Sequence, residues 1–237
     1  GFSVITGQRF GAKDYEGVRR SVVISIILSS AFTLIFTVIS AVLMKPILFM
    51  MNVPSEIFHD AYWYIQICVL GLVTVNFYNL LASIVRALGD SKTPLYFLIF
   101  ASILNVFLAL LFILKFHWGV PGSAVAVVLS QAVSGFMCYF YVKKRFPILH
   151  LHRKDWEFKK CNRAKDVDFA MEHLKVGFPM AVQFSILGIG ILIIQSVCNT
   201  FGSNVIAAFT AALRIEQIAT LPMISFGIAL AAFVAQN

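Results

Sequence analysis

Two charged side chains, Arg214 and Glu216, stand inside an otherwise apolar run from Gly202 to Asn237. No other formal charge in the chain lies deep within an apolar segment. A charge at the centre of a lipid-spanning helix costs roughly 2.5–3.5 kcal/mol on insertion scales, so its presence points to a functional site. Residues two apart on a helix are turned by about 200°, and the pair therefore do not face each other. Arg214 shares a face with Thr210 and Gln217, and Glu216 shares the other with Thr220. Each is expected to meet a different neighbour; for Glu216 the bland alternative is a static ion pair, with Arg214 as one candidate partner.

Neutral polar side chains are the second group that cannot face lipid cheaply. Gln66, Asn76, Tyr78, Asn79, Gln131, Gln183, Gln195 and Asn199 all fall in apolar runs. Asn76 with Asn79, one helical turn apart, and Gln183 are the candidates for a substrate cavity; hydrogen bonding between helices is the structural reading of each. The five histidines fall between the spans, so no buried proton relay is expected among them. The four cysteines have no paired spacing of the metal or redox kind and read as packing residues. The 23 Phe and 7 Met offer a soft aromatic lining suited to bulky organic cations, although most of them would face lipid.

The elements that position these groups follow from composition. With 59% hydrophobic and 13% charged residues and a mean hydropathy of +0.86, 237 residues cannot hide their apolar surface from water. Lipid is part of the solvent. About 20 apolar residues cross the hydrocarbon layer, which gives spans over Ser21–Leu43, Ala61–Val85, Leu95–Phe116, Gly122–Val142, Gly177–Asn199 and the Gly202–Asn237 stretch. Pro46 and Pro54 are expected to break the segment Lys45–Asp60, and Pro179 to sit in the first turn of the fifth span. Gly122, Ala126, Ser130 and Ser134 recur every four residues, a small-residue stripe for close helix approach.

Loop charge sets direction. Of the 19 Lys and Arg, sixteen lie between spans on one side and only Lys45 and Lys115 on the other, with Arg214 the remaining one. That asymmetry places the sixteen in the cytoplasm, and it explains the formal net charge of +8 without a nucleic-acid partner. Trp63, beside Tyr62 and Tyr64, and Trp118 fall at external span ends, as interfacial rings should, and Trp156 falls in the basic loop. Starting and stopping inside apolar runs, without an initiator Met or signal peptide, the chain reads as an internal piece of a longer protein. Its ends echo each other, GFSVITGQ at Gly1–Gln8 and ALAAFVAQ at Ala229–Gln236, as two homologous halves would.

Five motifs in order carry a family resemblance: GQRFGA at Gly7–Ala12, RALGDSKTP at Arg86–Pro94, Asn105 in mid-span, GVPGSAVAVVLSQ at Gly119–Gln131, and FVAQN at Phe233–Asn237. Together they resemble the multidrug and toxic compound extrusion (MATE) transporters. The resemblance implies an all-α polytopic transmembrane helix bundle, part of a twelve-helix two-lobe transporter. This chain would supply about six complete spans plus one partial. Residues 1–142 would form the amino-terminal lobe from the end of the second helix through the sixth. Residues 143–175 would be a cytoplasmic inter-lobe linker, and 176–237 the seventh and eighth helices.

Such an exporter needs a group whose proton or ion occupancy differs between its two states, and a carboxylate out of water suits that. Glu216 is the expected coupling residue, with H+ or Na+ as the coupling ion and no other cofactor. Asn105 matches one residue of the family's ion site, while Ala109 and Val127 replace its Asp and Thr. Asn105 is therefore either a coupling residue or a hydrogen-bonding one. Arg214, Gln183, Asn76, Asn79 and Gln217 are expected at the substrate cavity. The expected function is export of organic, cationic compounds by antiport. The partners are the bilayer, small organic substrates and the remaining helices of the same protein; the location is the cell membrane. A lipid-linked saccharide flippase would want a more basic cavity. An integral-membrane lipid enzyme would want a His, Asp or Ser cluster that the sequence lacks.

Overall fold

Long apolar runs can satisfy their backbone away from water only as helices or closed barrels, and every long run here is helical. The computed structural model describes residues 2–51, 53, 55–149, 163–199, 201 and 203–236. The helices are α1 (Phe2–Gly11), α2 (Tyr15–Met50), α3 (Ser55–Leu70), α4 (Leu72–Ala87), α5 (Lys92–Leu110), α6 (Gly119–Arg145), α7 (Arg163–Asn199) and α8 (Ser203–Gln236). A π-helical turn, Leu111–Lys115, extends α5. Five of these helices are long and apolar enough to cross a membrane, and α3 with α4 makes a sixth span bent by 42°.

Three expectations change. The helix α2 runs through Pro46 to Met50, because one missing N–H is tolerated where the neighbouring turns stay bonded; Pro54 lies outside the described residues. Pro179 is interior to its helix rather than in the first turn, since α7 starts at Arg163, inside the expected linker. The second span is two helices, broken at Gly71. A side chain at Gly71 would run into Val128 of α6, so glycine lets the broken span press on its neighbour.

The packing is centred on α6 and α1. The helix α6 contacts α3, α4 and α5, and α1 contacts α2, α4, α7 and α8. The expected stripe Gly122, Ala126, Ser130, Ser134 is buried throughout. One apolar cluster joins Val18 and Val22 of α2 to Leu81, Ile84 and Val85 of α4 and to Cys138 and Val142 of α6. A smaller one, Met44, Leu48 and Val69, sits at the other end of α2. Through most of their length α7 and α8 present their apolar side chains outward.

The α4–α5 turn shows how RALGDSKTP works. Gly89 takes φ +95°, the left-handed conformation that ends a helix, and its N–H bonds the Arg86 carbonyl at 3.0 Å. Asp90 then caps α5: its Oδ1 accepts from the N–H groups of Lys92 (3.2 Å) and Thr93 (3.1 Å). Its Oδ2 accepts from the Tyr141 hydroxyl of α6 at 2.6 Å. Desolvation pushes the Asp90 carboxyl up, but its bonds to Tyr141, Thr93 and Lys92 outweigh that and hold it below the ordinary carboxylate range.

Candidate functional site

Positions three apart on a helix share a face, so α4 turns Asn76 and Asn79 the same way while Tyr78 points elsewhere. Tyr78 is buried, its hydroxyl donating to the Pro94 carbonyl at 2.8 Å. Asn76 and Asn79 line a cavity of about 700 Å³ bounded by α1, α2, α4 and α7. The other polar lining comes from Ser3, Ser29, Thr33, Ser83 and Ser185, and aromatic surface comes from Phe2, Phe32, Phe36 and Phe178. No formally charged side chain lines it among the described residues. A second, more apolar cavity of about 430 Å³ lies between α2, α4 and α6, and Thr33, Asn76 and Leu80 border both.

The remaining expected site residues lie apart from that cavity. Gln183 is exposed on α7. Arg214 is exposed on α8, its Nη1 donating to Gln217 Oε1 at 3.4 Å. Glu216 is exposed too, and no ion pair joins it to Arg214 among the described residues. It falls on the α8 face of Phe209, Leu213 and Thr220, which are half-buried. The Thr220 hydroxyl bonds the Glu216 carbonyl at 2.9 Å, not its carboxylate. On α5, Asn105 is half-buried, and its Nδ2 is sheltered without a hydrogen-bond partner, as are Gln66 Oε1 and Gln131 Oε1. Among the described residues no interhelical bond is made through that nitrogen, and leaving such an atom unbonded costs about 1–3 kcal/mol.

One buried polar group lies where loop charge alone predicts no helix. His173 belongs to a helix, not a loop, and is fully buried with 0% exposure; His59 is helical as well. His173 Nδ1 lies 2.8 Å from the Phe169 carbonyl, an atom that only accepts, so in the neutral ring Nδ1 carries the hydrogen. Nε2 is then the acceptor, and the Ser21 hydroxyl of α2, 2.8 Å away, donates to it. The Thr6 hydroxyl of α1, 2.8 Å from Ser21 Oγ, completes a buried chain across three helices.

Around the chain, Arg9 of α1 pairs with Glu172 at 3.3 Å and Asp14 at 3.6 Å and lies 4.9 Å over the Phe169 ring. Phe2, beside His173 at 6.1 Å between ring centroids, also lines the larger cavity, as does Leu174. The chain therefore sits at the cavity's basic-side end. Phe169 and His173, four apart, were the available signal: a helical face inside a segment whose charge count reads as loop.

Among the described residues no His, Cys, Asp and Glu group is arranged to hold a metal, and Cys68, Cys138 and Cys198 are free. Trp156 and Cys161 lie outside the described residues.

A polytopic α-bundle enclosing a cavity lined by neutral polar and aromatic side chains is the architecture of a membrane transporter. The chain belongs to the multidrug and toxic compound extrusion family. The MatE family model matches residues 1–111. Over 98% of its length the chain is 32% identical to Probable multidrug resistance protein YpnP of Bacillus subtilis (strain 168), covering 50% of that protein. An outward-facing conformation of a multidrug resistance MATE family transporter of the MOP superfamily superposes with a TM-score of 0.83. It is 25% identical, and the match covers 100% of this chain and 51% of that one. An inward-facing conformation of such a transporter shares the fold at the same TM-score, 0.83, with 24% identity over 100% of this chain and 56% of that one. The chain spans about half the length of the curated relatives it matches.

Proposed function

We propose that the intact protein exports organic, cationic compounds by antiport with H+ or Na+, in the cell membrane, with its basic end in the cytoplasm. The observation that carries this reading is the cavity between α1, α2, α4 and α7, which offers Asn76 and Asn79 with a ring of Phe side chains. Aromatic faces attract desolvated cations, and amide oxygens orient them without fixing one shape. A flippase for phosphate-bearing saccharides would want basic side chains, and the described lining has none. The orientation rests on the sequence count alone, in which sixteen of 19 Lys and Arg fall in segments between spans assigned to one side.

Glu216 is the proposed coupling group. It is exposed on α8 beside the half-buried Leu213 and Thr220, with its carboxylate unpaired by Arg214. Asn105, with its unbonded amide nitrogen, is the proposed polar remnant of the first lobe's ion site. Arg214, Gln217 and Gln183 are assigned to the cavity wall that the rest of the protein completes. In cells expressing the intact protein, Glu216→Gln should abolish ion-driven efflux of ethidium, followed by fluorescence. Efflux at the wild-type rate would remove Glu216 from the mechanism.

A further inference from the structure

We infer that His173 is a proton-binding site, and that Thr6, Ser21 and His173 form a latch closing the cavity at its basic end, which protonation releases. The latch ties α7 to α1 and α2, so the basic end of the cavity cannot open between them while the chain of bonds stands. Gly177 permits the closure: a Cβ there would meet the Phe2 ring at 2.6 Å, and glycine lets α1 lie against α7 next to His173.

The hydrogen-bond directions and the burial of the ring make the latch proton-sensitive. With the ring neutral, Thr6 donates to Ser21, Ser21 to Nε2, and Nδ1–H to the Phe169 carbonyl. A proton arriving at Nε2 turns that atom into a donor. Ser21 must then accept from the ring and turn its own hydrogen to Thr6, whose hydroxyl can rotate to receive it; the bonds can re-form in the opposite sense, so the release is driven by the charge. The proton places a full charge on a side chain with 0% exposure, which burial penalises. Arg9 of α1 opposes that charge and Glu172 of α7 favours it. On α2, Arg19 and Arg20 stand next to Ser21 in sequence, and neither relieves a positive ring.

A line of hydroxyls leads from the cavity toward the site. Ser21, Ser25 and Ser29 recur every four residues on one face of α2, from the latch to the cavity wall. Ser25 Oγ, between the other two, is buried and has no hydrogen-bond partner. A proton entering from the cavity side would release the latch, and the part-exposed Arg9–Glu172 pair, which also ties α1 to α7, is worth too little in water to hold the basic end shut. Proton entry followed by opening is the sequence an H+-driven exporter requires, and this inference rests on the exporter reading in that respect.

The test is pulsed electron–electron distance spectroscopy on the intact protein in nanodiscs, with its native cysteines replaced and spin labels at Glu16→Cys and Lys175→Cys. Both positions are exposed and outside the latch. Lowering the pH from 7.5 to 5.5 should raise the ratio of long to short distances roughly tenfold. His173→Gln, which cannot titrate in this range, should give one distribution at both values. Ser21→Ala, which keeps the ring but removes its partner, should show the long distance already at pH 7.5. A wild-type response that survives His173→Gln overturns the latch. If that variant does not fold, an unchanged pH 7.5 distribution in Ser21→Ala overturns it instead. The readout is independent of cargo, so a protein that opens with pH yet exports nothing keeps the latch and loses only the exporter reading.

Discussion

Asn76 and Asn79 were legible because their spacing alone fixes a shared helix face, and α4 turns that face to the larger cavity. His173 was not, because counting loop charges cannot distinguish a loop from the charged first turns of a long helix. Asp90 belongs between these cases: RALGDSKTP marks a turn, but the bond from the α6 hydroxyl of Tyr141 comes from 51 residues away. Asp90→Ala removes the cap of α5 and that bond together, and should destabilise the protein by about 1 kcal/mol. The sign with pH follows from its depressed titration. The carboxylate's contribution is full above its unfolded value and fades as pH falls through the lower folded one. The gap in melting temperature between wild type and Asp90→Ala, measured in detergent, should therefore hold at pH 7 and narrow below about pH 4. A gap independent of pH would assign the effect to the backbone turn alone.

At the scale of elements, hydropathy located every span but misjudged where helices stop. Pro46 and Pro179 lie inside helices because a proline deletes one bond while the remaining turns keep theirs. The break that does occur is at Gly71, where the constraint is contact with Val128 across helices rather than local propensity. Gly71→Val should lose about 1–3 kcal/mol by overpacking α3 and α4 against α6. Thermal unfolding of the detergent-solubilised protein would show it as a lowered midpoint. A midpoint equal to wild type would mean that the bend relaxes freely. Gly188, whose added Cβ meets nothing within 4 Å, is the matched control.

For the whole molecule, the two cavities have a consequence in binding thermodynamics. Asn76, Thr33 and Leu80 border both, so the chambers are separated there by single side chains. Whatever fills the smaller chamber presses on the same partition that a ligand in the larger one contacts. Their occupancies are then energetically linked, and linkage is reciprocal: each ligand alters the other's affinity by one common factor. Titrating a cationic dye at fixed concentrations of a small apolar ligand, followed by tryptophan fluorescence, should reveal a factor of about five. Asn76→Ala, at the shared wall, should bring that factor toward one. Asn79→Ala, which borders only the larger chamber, should weaken dye binding and leave the factor intact. Heterotropic coupling would then reside in a partition one residue thick.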